Sequence, residues 1–191
     1  MNLVFGVGIN NREIPTSIDG KLKKEYNLWR NMLQRCYSKP YLEKHPTYVG
    51  CSVSDTFLYY HLFHAWCQTQ VGFGKEGYQL DKDLLIKGNK LYSEHTCVFI
   101  PSVLNSILIT AAAGRGLLPI GVTKHGKGFR AMCNIYGKDK SLGTFDTPEL
   151  AFEVYKNFKE AHIKTQAELY KNEIDEIAYQ AFINYKVEIE D

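Results

Sequence analysis

The sequence contains no apolar run of about 18 residues, the minimum for a membrane-crossing helix. Its opening, MNLVFGVGINNREIP, lacks the basic stretch, apolar core and cleavage site of a secretory signal. Both absences point away from the membrane and from export, and the cytoplasm is the expected location. Close cysteine pairs are also missing. Five cysteines (Cys36, Cys51, Cys67, Cys97 and Cys133) are odd in number and scattered, with no CxxC spacing. Structural Zn²⁺ is therefore disfavoured, and reduced, buried thiols are expected. Tryptophan is scarce at two residues, but thirteen tyrosines and ten phenylalanines supply the bulk that a folded core needs.

Charge of one sign is not in large excess, since the net charge is only +2. Its distribution is uneven. From Asn172 to Asp191 six acids (Glu173, Asp175, Glu176, Glu188, Glu190, Asp191) face one base, Lys186, which leaves the rest of the chain at +7. A basic body with an acidic tail favours a polyanionic partner, though modestly.

KEYNLWRNMLQRCY places Tyr26, Trp29, Met32/Leu33 and Cys36 at helical spacing and predicts an amphipathic helix within 21–37. Residues 38–48, with Pro40 and Pro46, read as a loop, and Cys51 to Val53 as a short strand. Ser54 or Asp55 is a suitable cap for one helix over 56–70. Its Phe57, Tyr60, Phe63 and Trp66 form an aromatic stripe that belongs in a core. His61 and His64 lie off that stripe and are expected to be solvated rather than metal-bound. Small residues, two glycines and a proline make 110–119 a linker. After it the period changes to two. Ile120 to His125, Gly128 to Tyr136 and Lys140 to Phe145 read as strands joined by HGKG and GKDK turns. Asp146 or Thr147 caps a long helix with Pro148 in its first turn and Leu150, Ala151, Val154, Tyr155 and Phe158 as its apolar face. Ile174 to Val187 predicts a further helix folding back on the first half.

The segment GVTKHGKGFRAMCNIYGKDKSLGTFDTPELAFEVY resembles the AP2 domain, through Gly121-Val122, Phe129, Leu142-Gly143-Thr144-Phe145, Ala151 and Tyr155. The resemblance implies a three-stranded sheet on one helix, with the open sheet face in the DNA major groove. Strand alternation agrees. Phe129, Ala131, Cys133 and Ile135 share one face, and Arg130, Met132, Asn134 and Tyr136 the other. By motif position, base contacts fall on Thr123, His125, Met132 and Asn134. Lys124, Lys127, Lys138 and Lys140 lie at strand ends and turns, within reach of phosphates. The family is richer in arginine at the reading positions, and a plainly solvated sheet is the alternative.

The whole chain also resembles a bacteriophage and prophage family grouped with HNH homing endonucleases. The matching residues include Gly6-Val7-Gly8, Trp29, Arg35-Cys36-Tyr37, Cys51, Trp66, Leu80-Asp81-Lys82-Asp83, Lys87-Gly88-Asn89, Tyr92-Ser93, Thr96-Cys97, Pro101 and Asn105. It implies an α+β protein divided as an HNH-like ββα-metal half (1–109), a linker (110–119), an AP2-like module (120–171) and an acidic helix or tail (172–191). An HNH module needs a histidine to activate water and carboxylate, Asn or His ligands for one divalent ion. Asp81 and Asp83 alternate along an extended segment and would share one face, where they could hold Mg²⁺. The resemblance adds Asn89 to that site and assigns catalysis to Asp81, Asp83, Asn105 and, as the nearest substitute base, His95. The histidine expected after Asp81 is Lys82, and an ammonium is a poor general base. Two functions stay open: a Mg²⁺-dependent homing or nicking endonuclease acting on double-stranded DNA, or a non-catalytic DNA- or protein-binding phage factor, such as a regulator or an inhibitor of a host defence system. Surface charge (Asp81-Lys82-Asp83), a turn residue (Asn89) and a solvent-facing helix residue (Asn105) are the structural alternatives for the same block.

Overall fold

Asp19 and Gly20 take left-handed φ values of 49° and 74°, the conformation of a two-residue type I′ turn. They join β1 (Ser17–Ile18) antiparallel to β2 (Lys21–Leu22). The computed structural model describes residues 3–108, 117–189 and 191, so most of the expected linker, 110–116, lies outside the described residues. The fold is mixed α+β and divides into two units, Met1–Pro101 with Glu173–Ala178, and Ser102–Asn172 with Tyr179–Asp191. Among the described residues no helix is long and apolar enough to cross a membrane.

In the first unit the period starting at Tyr26 becomes α1 (Lys24–Tyr37), which buries Trp29, Met32, Leu33 and Cys36. The expected loop at 38–48 is instead mostly helical, as α2 (Lys39–Lys44) and a 3-10 turn at Pro46–Tyr48. Both prolines sit in a first turn, where the missing N–H breaks no helical bond. β3 (Ser52–Val53) pairs in parallel with β5 (Leu91–Tyr92).

The single helix expected over 56–70 is two, α3 (Asp55–Leu58) and α4 (Tyr60–Thr69). Ile9 causes the break. Its N–H donates to Leu58 O at 2.8 Å and its carbonyl accepts from Tyr60 N–H at 3.0 Å, so Tyr59 is held extended between the helices. The aromatic stripe still reaches the core. Phe57, Tyr60 and Phe63 are fully buried with Trp29, whose indole N–H donates to Phe57 O at 2.8 Å, and Trp66 packs at the cluster edge. Burying such side chains stabilises by roughly 1.5–3 kcal/mol each. A Cβ on Gly8 would meet Leu33 at 2.3 Å, so only glycine lets the N-terminal segment lie against this core.

The segment from Leu80 folds as β4 (Tyr78–Asp81) antiparallel to β6 (Val98–Pro101), with Asp81 opposite Val98. β6 runs directly into α5 (Ser102–Leu108), and the boundary between the units falls between them.

In the second unit β7 (Val122–His125), β8 (Gly128–Ile135) and β9 (Lys138–Phe145) form an antiparallel sheet in that order. Thr147 caps α6 (Pro148–Leu169) by accepting from Leu150 N–H, with Pro148 in the first turn. Val122, Ala131 and Cys133 are buried against Ala151, Phe152 and Tyr155. Gly121, at φ 73°, brings the chain so close to α6 that a Cβ would stand 2.2 Å from the Tyr155 ring. That contact fixes the rotation of α6. Phe152 therefore faces the sheet, while Leu150, expected on the apolar face, is 53% exposed. β9 starts earlier than expected because Tyr136 and Gly137, at φ 50° and 80°, make the turn, and Lys138 and Asp139 join the strand. An irregularity between Ala131 and Met132 gives β9 one extra residue, Leu142.

The tail holds α7 (Glu176–Ile183). Residues 173–178 group with the first unit, where the Lys75 ammonium and the Tyr78 hydroxyl donate to Glu173 O at 3.2 and 3.3 Å. In the second unit Val187 is buried. Its N–H donates to Glu160 at 3.0 Å, and its carbonyl accepts from Lys156 at 2.9 Å.

Candidate functional site

Strand β4 ends at Asp81 because its side chain turns the backbone. Asp81 Oδ1 accepts the N–H of Asp83 at 3.0 Å and of Leu84 at 2.7 Å. The expected alternation of Asp81 and Asp83 along one extended face does not occur. Asp81 is 8% exposed at the strand end, while Asp83 lies beyond it in a bend with its carboxylate half in solvent. Burial, with the nearby Asp83 charge, pushes the Asp81 carboxyl up to about 6 against the pull of those two N–H donors and Lys82.

Lys82, at the position where an HNH module keeps its histidine, is buried. Its ammonium donates to Asn89 O at 3.0 Å, pairs with Asp83 at 3.2 Å and stands 5.8 Å from the Tyr92 ring centroid. Asn89 answers it. Its amide donates to Lys82 O and to Leu91 O, both at 2.7 Å, and its Oδ1 accepts from Leu91 N–H at 3.1 Å. Asp81, Lys82 and Asn89 thus staple the 81–91 loop to itself. His95 is exposed in the turn after β5, where its imidazole neighbours Glu94. Asn105 is half-buried on α5, which packs with α6 in the second unit. Among the described residues no three His, Cys, Asp or Glu side chains group as metal ligands.

All five cysteines are buried and free, and burial pushes the Cys36 and Cys97 thiols up to about 12. His61 and His64 are not simply solvated as expected. His61 Nδ1 lies 3.1 Å from the Asn11 amide, and His64 Nε2 lies 3.2 Å from the buried Glu25 carboxylate.

The sheet of the second unit has one face on α6 and one away from it. Thr123, Arg130 and Thr144 are cross-strand neighbours on the outer face, as are Met132 with Ser141 and Asn134 with Asp139. The Arg130 guanidinium reaches the His125 imidazole. Asn134 is committed to its hairpin, donating to Asp139 at 2.7 Å and accepting from Gly137 N–H at 2.9 Å. Tyr136 departs from the expected alternation. Its left-handed φ in the turn carries it off the outer face, and its hydroxyl donates to Gln166 of α6.

The lysines are at the rim, and the register assigns three of them to the helix side. Lys124, Lys138 and Lys140 stand opposite Phe129, Ile135 and Cys133. Lys124 lies 4.0 Å from the Phe129 centroid and Lys140 4.8 Å from that of Phe158. Lys127 is exposed in the β7–β8 turn.

Sequence reasoning missed Lys159 of α6. It is buried at the spacing of Phe152, Tyr155, Ile163 and Ala167, and that helical period was the signal available for it. It also missed Glu94, whose carboxylate accepts from Ser54 and Thr56 at 2.9 and 2.7 Å and so holds the start of α3. No known protein family, curated protein or solved structure matches this chain.

Proposed function

We propose that the protein is a phage-type double-stranded DNA-binding protein that reads DNA through the outer face of β7–β8–β9 and does not cut it. The observation that carries the binding half is the sheet itself. One face is packed on α6 and the other offers Thr123, His125, Arg130 and Met132, with lysines around the rim. The basic excess outside the acidic tail supports the same partner. Asn134, its amide engaged in the hairpin, contributes to the shape of that face rather than to an adenine contact.

Against cleavage stands the use each expected catalytic group already has. The Asp81 carboxylate holds two backbone N–H groups, Asn89 bridges three backbone positions, and Lys82 stands in for the water-activating histidine. Asp81 and Asp83, two residues apart, remain the candidate ligands for a Mg²⁺ ion, so the endonuclease alternative is tested directly. Purified protein is incubated with supercoiled plasmid and with phage DNA in Mg²⁺ or Mn²⁺. No nicking is expected, and nicking abolished by Asp81→Ala would restore the enzyme. In a mobility-shift titration, Arg130→Ala and Lys127→Ala should each weaken duplex binding. Lys127→Ala should also flatten the salt dependence by about one unit of slope, as loss of one phosphate contact does. Unchanged affinity in both would overturn the interface.

A further inference from the structure

The buried stripe of α6 is apolar at Ala151, Phe152, Tyr155, Ile163 and Ala167 and carries one charge, Lys159. Lys159 is 7% exposed and has no hydrogen-bond or ion-pair partner among the described residues. One turn further, His162 keeps its Nε2 buried and likewise without a hydrogen-bond partner. Its ring is held between Phe158, stacked at 6.3 Å and 10°, and Tyr136, edge-on at 5.9 Å. From the sheet Lys140, opposite Cys133, projects toward the same helix. The Lys140 ammonium and the His162 ring both lie against Phe158, the residue before Lys159 on α6, and both lysines act electrostatically on Cys133 and His162.

Among the described residues no acid pairs with Lys140, Lys159 or His162. Glu160, on the same helix, is occupied by Lys156, Lys186 and the Val187 N–H. Asp139, on the sheet, is engaged by Asn134. Of the three, only Lys159 is buried as a charge, while Lys140 is exposed; a buried ammonium with no counter-charge opposes folding, and that cost is recovered when an anion enters. We propose that Lys140, Lys159 and His162 form a binding site for a phosphate-type oxyanion, seated over Cys133 between α6 and the β8–β9 hairpin. Two ammonium groups supply charge, the imidazole Nε2–H supplies a directed donor, and a tetrahedral oxyanion has acceptors for all three. Burial and the two lysines hold the His162 imidazole toward its neutral form, and Lys159 is itself pulled down by burial. A bound anion reverses both tendencies. The oxyanion belongs either to a free phosphate ester or to a nucleic-acid backbone, and the site stands whether or not the sheet binds DNA.

The test uses the full chain in a phosphate-free buffer, with sodium chloride holding ionic strength constant while inorganic phosphate is added. Unfolding midpoints should rise with the logarithm of phosphate concentration once it exceeds the dissociation constant. At a phosphate concentration about 100 times its dissociation constant, the folded-to-unfolded ratio should rise about 100-fold. Lys159→Met should be at least as stable as wild type without phosphate and lose this logarithmic response. His162→Phe, which keeps a ring between Phe158 and Tyr136 but has no donor, should bind about tenfold more weakly, the cost of a lost charge-assisted hydrogen bond. Nitrogen-15 spectra of the His162 ring should show Nε2 shifting with phosphate in the wild type. An absent response, or an equal one in Lys159→Met, overturns the site. A short DNA duplex then separates the sources. Phosphate that competes with the duplex in wild type but not in Lys159→Met assigns the site to a backbone phosphate. Saturable phosphate binding that leaves duplex affinity untouched assigns it to a free ester.

Discussion

Replacing Asp81 by asparagine tests whether the acid at the end of β4 is part of the fold or part of a metal site. The amide oxygen of asparagine can accept the same two N–H groups, from Asp83 and Leu84, while the charge is lost. Asp81 is held at about 6, against an ordinary value of 3.8, so its ionised form is disfavoured in the folded state. Each unit is worth about 1.4 kcal/mol, and the ionised carboxylate therefore costs about 3 kcal/mol of stability. The sign follows from proton uptake. Between the two values the folded chain holds more protons than the unfolded chain, so this contribution is fully present below the unfolded value and is lost as pH rises through about 6. Asp81→Asn should therefore be more stable than wild type at pH about 7.5, by about 1–3 kcal/mol, with the advantage falling by about half near pH 5. Urea titrations followed by tryptophan fluorescence measure both. A variant less stable than wild type at neutral pH, or a difference that ignores pH, would refute the structural role. So would a saturable stabilisation by Mg²⁺ in wild type that the variant lacks, which would return Asp81 to a metal site.

Asn89→Ala removes three bonds from the loop and should cost about 2–4 kcal/mol in the same titration, with or without Mg²⁺; dependence on the metal would contradict its role as a staple. Gly121→Ala combines φ 73° with a 2.2 Å approach to Tyr155 and should destabilise the second unit by about 3 kcal/mol or more. Gly137→Ala, at φ 80° in open space, should cost only about 1–2 kcal/mol, and equal losses at the two sites would refute the close packing of the first.

Local signals carried the second unit. Period-two alternation from Phe129 to Ile135 placed the sheet faces, and Thr147-Pro148 placed the start of α6, because each depends on neighbours a few residues away. What was not legible depends on distant partners. The rotation of α6 is set by Gly121 against Tyr155, so the exposure of Leu150 has no local cause. The acids at 81 and 83 look interchangeable in sequence. Only the loop that closes through Asn89 makes one a buried acceptor and leaves the other in solvent. Lys159 was hidden by its type, since a lysine in a helical stripe is ordinarily assigned to the surface. The 38–48 segment was misjudged because proline stops a helix from inside yet fits its first turn.

The insertion of Ile9 beside Tyr59 also makes a local break depend on a distant partner. During synthesis Ile9 leaves the ribosome well before the chain it will divide, and its amide and carbonyl have only water until Leu58 and Tyr60 arrive. The segment that becomes α3 and α4 contains no glycine or proline and has no internal reason to bend. Left to itself it favours an unbroken helix, so the bend is information delivered from the far end of the first unit. The N-terminal segment thus supplies, from far away in sequence, the backbone partners that hold the bend and let both helices turn their aromatic residues into one core.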